Sequence, residues 1–309
     1  MYEVFELILG FVILLFGGEF LVRGAISFAK LFNVSPLVIG LTVVSFGTSA
    51  PELLVSLQAA LMGSPDLAIG NVVGSNIANL ALVLGLTVII LPMIIDKSNL
   101  FVNWVVMVLA TLLFSLFSFT DYLIVFWEGI VLFALLVFYL LYFFISAKKD
   151  KIEELEDGAK TLNIWRSLFF FVAGSAGLYF GSELLVSNAV IIAVDYLGCS
   201  QAVIGVTIVA FGTSLPELVA SVVAAFRKQS GISIGNLIGS NIFNLLAVIG
   251  VTSIITPVDV FKSFFDFDFY WLLIISLLMG PLLLVPKKIG RLIGIFLFVF
   301  YVCYIILVV

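Results

Sequence analysis

Histidine is absent from this 309-residue chain, and cysteine occurs twice, at Cys199 and Cys303. The first absence excludes His-ligated zinc chemistry and a histidine proton relay. The second excludes a disulfide framework or a cysteine metal site. Charge is scarce as well: 11% of residues are charged and 63% hydrophobic, where soluble domains run near about 25% and about 45–50%. No basic stretch precedes the first apolar run, which begins with Glu3 and Glu6, so it reads as a retained first helix and not as a signal peptide. The period-two alternation of a membrane β-barrel is missing. What is present is a series of apolar runs, many of them long enough to cross a bilayer as a helix. The fold class is an all-α polytopic membrane protein.

Ten apolar segments lie near residues 4–30, 36–62, 66–92, 101–119, 122–146, 164–193, 201–226, 231–256, 269–286 and 289–308. The one long polar connection, 147–163, divides the chain into a first half, 1–146, and a second, 164–309. With both termini outside, Arg23, Lys30, Lys97, Lys148, Lys149, Lys151, Lys160, Arg166, Arg227, Lys228, Lys287, Lys288 and Arg291 all fall at cytoplasmic ends, and only Lys262 falls outside. The opposite loops carry Asp66, Asp121, Asp195, Asp259, Asp266 and Asp268. This bias of Lys and Arg sets the orientation and makes 147–163 a cytoplasmic loop. Trp104, Trp127, Trp165 and Trp271 fit interfacial belts.

The halves repeat. Adding 165 to a residue number carries Thr48 to Thr213, Glu52 to Glu217, Asn71 to Asn236, Ser75 to Ser240 and Asn79 to Asn244. About half of the positions between 36 and 90 match identically without a gap. "FGGEFLV" at 16–22 and "FGSELLV" at 180–186 match at an offset one smaller. Homologous halves with five spans each enter the membrane from opposite sides, which is the inverted-topology repeat of many secondary transporters.

The best-preserved positions are polar. "SFGTSAPELLVS" (45–56) and "AFGTSLPELVAS" (210–221) place a proline and a glutamate inside apolar segments. Pro51 and Pro216 lack an N–H and crowd the carbonyls of Gly47 and Gly212, one turn back. Backbone carbonyls freed at membrane depth are tolerated where they are buried in protein or line a wet cavity. Each glutamate costs at least about 2–3 kcal/mol at a helix centre. Thr48 shares a helix face with Glu52, and Thr213 with Glu217; Thr42, Ser45, Ser49, Glu52 and Ser56 continue a polar stripe. "GNVVGSNIAN" (70–79) and "GNLIGSNIFN" (235–244) set Asn71, Ser75 and Asn79, then Asn236, Ser240 and Asn244, at successive i+4 positions. The glycines at 70, 74, 235 and 239 allow close backbone approach and loosen the helix. Taken singly, such Ser, Thr and Asn residues serve interhelical hydrogen bonds. As a set repeated around two carboxylates, they make an oxygen-only anionic site suited to Ca²⁺ or Na⁺, whereas soft metals want nitrogen or sulfur.

These paired motifs resemble the α1 and α2 repeats of the sodium/calcium exchanger family, within the cation/calcium exchanger superfamily, and the resemblance spans the whole chain. It implies ten transmembrane helices in two inverted five-helix repeats. The signatures lie at 40–85 and 205–250, and discontinuous helices 2, 3, 7 and 8 form the ion-binding core. Long helices 1 and 6 slide across that core. The implied activity is antiport of Na⁺ against Ca²⁺ by alternating access, without enzymatic chemistry or a cofactor, in the cell membrane, with a monomer sufficient and no nucleic acid or obligatory protein partner. By the same resemblance Glu52 and Glu217 are the central ligands. Thr48, Ser49, Thr213, Ser214, Ser75 and Ser240 supply hydroxyl or carbonyl oxygens. Ser45 and Ala210 lend backbone carbonyls to Na⁺, and Asn79 and Asn244 complete the centre. Some members, including the potassium-dependent branch, carry Asp at the position of Asn244; two Asn here imply no K⁺ co-transport. The short 147–163 loop implies no Ca²⁺-sensing domain.

Glu19 and Glu183, in the first and sixth spans, read either as helix-end charges or as polar groups lining an access passage. Arg23, four residues after Glu19, offers a local ion pair. A proton-coupled or K⁺-dependent cation antiporter is the nearest alternative. A channel is disfavoured because the site is duplicated within one chain, and an intramembrane enzyme because the chain has no histidine, no Ser–Lys pair at depth and no paired-Asp motif.

Overall fold

The computed structural model describes residues 2–94, 100–147, 162–196, 210–284 and 288–308. The expected cytoplasmic loop at 147–163 and the opening of the seventh span at 201–209 fall almost wholly outside this set. So do Cys199, Lys97, Lys148, Lys149, Lys151, Lys160 and Lys287.

Helix α1 spans Tyr2–Phe32, α2 Pro36–Leu61, α3 Pro65–Ile90, α4 Leu100–Asp121 and α5 Phe126–Ala147. In the second half α6 spans Ile164–Ile191 and ends in a π-helical turn, Ile192–Tyr196. Helix α7 is Leu215–Phe226, preceded by one separate turn at Ala210–Thr213. Helix α8 spans Ser230–Ile255, α9 Asp268–Leu284 and α10 Arg291–Val308. Among the described residues, α1 to α6, α8 and α10 are long and apolar enough to cross a membrane; α7 and α9 are shorter apolar helices.

The connections are tight where the chain supplies the means. Pro36 opens α2 behind Ser35, whose hydroxyl accepts from Val38 N at 3.4 Å. Asn163 caps α6 by accepting from Arg166 N at 2.9 Å. The α2–α3 turn uses Gly63 at φ 75° and the α7–α8 turn uses Lys228 at φ 57°, and these two positions are 165 apart. Two short ribbons repeat the relation. Strand β1 (Met93–Ile94) pairs antiparallel with β4 (Lys288–Ile289), and β2 (Leu123–Ile124) with β3 (Val258–Asp259). Adding 165 to β1 and β2 gives β3 and β4.

The helices sort into inner and outer. In α3 and α8, 78% and 83% of the apolar window is buried, against 28% in α1 and 22% in α10. Large side chains such as Phe16, Phe138, Phe180 and Leu292 stand exposed on the outer helices, as expected of surfaces solvated by lipid. Small residues set the helix contacts. On α1, Gly10, Gly17 and Gly24 recur every seven residues and face Gly181, Gly174 and Ser167 of α6 in descending order, so the pair is antiparallel. A Cβ at Gly17 would lie 2.6 Å from Leu178 N, closer than any side chain allows. Gly85 of α3 meets Gly294 of α10, and Gly250 of α8 meets Gly129 of α5; these contacts again correspond under the offset. Trp127 and Trp165 are exposed, whereas Trp104 packs on Gly280 and donates its indole N–H to Ser276 O at 2.9 Å.

Candidate cation site

The polar stripes converge where α2, α7, α3 and α8 meet. Glu52 and Glu217 are fully buried and lie within electrostatic range of each other. Thr48, Ser49, Ser75, Asn79, Ser214, Ser240 and Asn244 are buried with them. Thr213 is half-buried, and Ala210 opens the turn ahead of α7, its side chain lying outside the described set.

One half completes the other. Ser49 Oγ of α2 donates to Glu217 Oε1 at 3.4 Å, and so does Ser240 Oγ of α8. Thr48 Oγ1 donates to Asn236 Oδ1 at 3.0 Å and lies 3.3 Å from Ser240 Oγ. Ser45 Oγ donates to Gly40 O at 2.6 Å and to Asn236 O at 3.2 Å. The supporting amides play matched parts: Asn71 Nδ2 donates to Ser56 Oγ at 2.9 Å, and Asn236 Nδ2 to Ser221 Oγ at 3.2 Å. Asn71 and Asn236 therefore brace helix pairs, while the other two members of each trio are left for the centre.

At the centre, polar atoms lack protein partners. Both oxygens of Glu52, Oε2 of Glu217, Ser75 Oγ, Ser214 Oγ and the whole carboxamides of Asn79 and Asn244 are buried without a hydrogen bond. Native interiors pair nearly all such groups, and an isolated buried carboxylate is among the costliest. A hard cation answers the oxygens together. Among the described residues no three Asp, Glu or Cys gather as a metal cluster; the charge at this centre comes from two carboxylates set among neutral oxygens.

The backbone departs from the expectation of one break repeated. Helix α2 runs unbroken through Pro51, which leaves Gly47 O without its i+4 amide; its irregularity is the π-helical turn Gly40–Val44. In α7 the chain does break, at Ser214, with Pro216 in the first turn of the new helix. Helices α3 and α8 are continuous, with π-helical turns at Ala78–Val83 and Asn244–Val248. Those turns begin at or beside Asn79 and Asn244, and π-bulges favour functional sites. The glycines of "GNLIGSN" do allow close approach: a Cβ at Gly235 would lie 2.7 Å from Leu37 O, and one at Gly239 2.7 Å from Leu41 O. They do not loosen the helix, which stays regular over Ser230–Phe243.

Glu19 does not take Arg23 as its partner. Its carboxylate receives a two-pronged ion pair from Arg227, at the end of α7, and Arg23 instead lies over the Phe170 ring at 5.0 Å. Glu183 is exposed, with no ion-pair partner among the described residues. Sequence reasoning passed over Asn76 and Asn241, both buried, with Asn241 Nδ2 donating to Asn76 O at 3.2 Å. Their signal was the identical "GSN" at equivalent positions.

A model of the sodium/calcium exchanger proteins matches residues 3–145 and 166–309. The chain is 38% identical to a putative antiporter, CaxA, of Alkalimonas amylolytica, over 92% of this chain and 90% of that one. It is 32% identical to the sodium/calcium exchanger MaX1 of Methanosarcina acetivorans, over 97% and 96%. The solved structure of the sodium-calcium exchanger NCX_Mj, soaked with Na⁺ and Ca²⁺, superposes with a TM-score of 0.84 at 36% identity, covering 99% of this chain and 98% of that one. The chain belongs to the sodium/calcium exchanger family.

Proposed function

We infer that the chain is a secondary active antiporter that exchanges Na⁺ for Ca²⁺ across the membrane by alternating access. The observation that carries this reading is the pair of buried, largely unpartnered carboxylates, Glu52 and Glu217, ringed by hydroxyl and amide oxygens inside an exchanger fold. It is a transporter and not an enzyme; Na⁺ and Ca²⁺ are its cargo, and no cofactor takes part.

In this reading Glu52 and Glu217 bind both ions in turn. Thr48, Ser49, Thr213, Ser214, Ser75 and Ser240 add hydroxyl or carbonyl oxygens, Ser45 and Ala210 add backbone carbonyls, and Asn79 and Asn244 close the centre. Two negative charges balance one Ca²⁺, or several Na⁺ with a small surplus. Only a neutralised site can be covered by apolar helices, because a bare carboxylate pair stays hydrated. That condition couples the two fluxes. Helices α1 and α6, zipped by glycines, are the elements that slide.

The chain comprises ten transmembrane helices in two inverted repeats, 1–146 and 164–309, joined by the cytoplasmic 147–163 loop. Support comes from the ribbon pairings, the Gly85–Gly294 and Gly129–Gly250 contacts and the Asn71–Ser56 and Asn236–Ser221 bonds, all of which obey the offset of 165. Both termini lie outside the cell membrane, and a monomer suffices.

The test is ⁴⁵Ca²⁺ uptake into proteoliposomes loaded with Na⁺, with Na⁺-free, K⁺-loaded and pH-jump controls. Uptake driven only by the outward Na⁺ gradient is expected. Uptake driven by the pH jump and indifferent to Na⁺ would overturn Na⁺ coupling and make the glutamates proton carriers.

A further inference from the structure

We propose that the Glu19–Arg227 ion pair is a one-sided latch that holds α1 against the cytoplasmic end of α7 and biases the exchanger toward the state closed on that side. The proposal rests on the antiporter reading and its orientation. Arg227 follows Glu217 by ten residues, so the pair sits about 15 Å along α7 from the ion-binding carboxylate at 1.5 Å per residue. Its guanidinium meets Glu19 with both Nε and an Nη, a planar fork that fixes orientation as well as distance. Beside Glu19 the α1 backbone already meets an α7 side chain: a Cβ at Gly18 would lie 2.6 Å from Val219 Cγ1. Farther along α1, Ser27 Oγ lies 2.7 Å from Ser167 Oγ of α6, so what holds α1 also restrains its moving companion.

Among the described residues the other half has no equivalent. Under the offset of 165 Arg227 corresponds to Met62, which ends α2 exposed, and Glu19 corresponds to Glu183 at the offset one smaller. Glu183 has no ion-pair partner among the described residues. Alternating access in an inverted repeat exchanges the surroundings of the α1–α7 and α6–α2 contacts. A tie at one of them therefore favours one state, because only a difference between the two states shifts the population.

Arg227→Met installs the residue that already ends α2, and Glu19→Gln removes the other charge; the double variant Glu19→Arg/Arg227→Glu restores the pair reversed. A partly exposed pair of this kind shifts a two-state equilibrium by about two- to fivefold. In nanodiscs free of Na⁺ and Ca²⁺, amide hydrogen exchange over 218–230 rises by that factor in either single variant and returns in the double. In vesicles of fixed orientation, cytoplasmic half-saturation by Ca²⁺ falls by the same factor in the single variants, while extracellular half-saturation does not fall. Unchanged exchange in the single variants, no return in the double, or equal shifts on both faces would overturn the latch. Wild-type protein lacking Na⁺-driven Ca²⁺ uptake would overturn the antiporter reading instead, a separate result from the same preparations.

Discussion

Replacing Glu52 with Gln removes one of two charges and leaves the shape. Both Glu52 oxygens are buried without a protein donor, so they contribute little to the apo fold, and in the proposed antiporter they serve the cargo. At an effective dielectric near 20, two unit charges 4 Å apart interact by about 4 kcal/mol, and a divalent ion doubles that to about 8. Half of that figure, discounting for the water and amide dipoles that fill in, still lowers Ca²⁺ affinity by about 10³-fold. For each Na⁺ the same discount gives about 2 kcal/mol, or about 30-fold. Na⁺-driven ⁴⁵Ca²⁺ uptake in Glu52→Gln proteoliposomes is therefore expected to vanish. Stability moves the other way. Without ions the variant no longer buries an unpaired charge, so its thermal midpoint in chelator matches or exceeds that of wild type. Saturating Ca²⁺, worth about 2.7 kcal/mol to wild type at 100 times Kd, no longer raises it. This combination separates a lost ligand from a damaged fold. Uptake within tenfold of wild type, or Ca²⁺ stabilisation undiminished, would refute the assignment of Glu52 as a shared ligand.

Gly239→Ala is expected to destabilise by about 1–3 kcal/mol, because the added methyl meets Leu41 O, Leu41 Cα and Ser45 Oγ where backbone cannot retreat; a thermal melt in detergent checks it, and Na⁺-driven uptake falls with it as Ser45 is displaced. Asn236→Ala leaves Thr48 and Ser221 without their amide partner and costs about 1–2 kcal/mol, more than Asn71→Ala at its half-buried site; paired melts rank them. Omitting K⁺ from both faces leaves Na⁺/Ca²⁺ exchange unchanged, measured as initial ⁴⁵Ca²⁺ flux, and a steep K⁺ requirement would contradict the reading of Asn79 and Asn244.

The inner helices were legible because burial in lipid makes polar residues conspicuous. Glu52, Glu217 and the i+4 trios stand out against an apolar background, and the offset of 165 pairs them without any structure. The backbone irregularities were not legible. "GTSAPE" and "GTSLPE" differ at one position, yet α2 passes through Pro51 as helix while α7 breaks at Ser214. A π-helical turn adds one residue without changing which residue types are needed, so the turns at Gly40–Val44, Ala78–Val83 and Asn244–Val248 leave no mark in composition. Glu19 shows the limit of local spacing: Arg23 stands one turn away with the right charge, but its side chain lies on Phe170 and the carboxylate reaches a residue 208 positions off.

The crossed hydrogen bonds explain why the chain needs both halves. Glu217 lies on α7, yet Ser49 on α2 is one of its donors; Ser240 on α8 is another, and Thr48 on α2 holds Asn236 in place beside it. Those bonds form only if α2 and α8 approach to backbone contact, which Gly235 and Gly239 permit and any side chain there would prevent. The glycines and the polar residues of "GNLIGSNIFN" are therefore one device: the glycines set the distance, and the serine and asparagines work at it. Either half alone brings one of the two fully buried glutamates and lacks the donors the other half supplies, so that carboxylate would be buried with fewer partners. The repeat in the sequence supplies the second carboxylate, Glu217, within electrostatic range of Glu52.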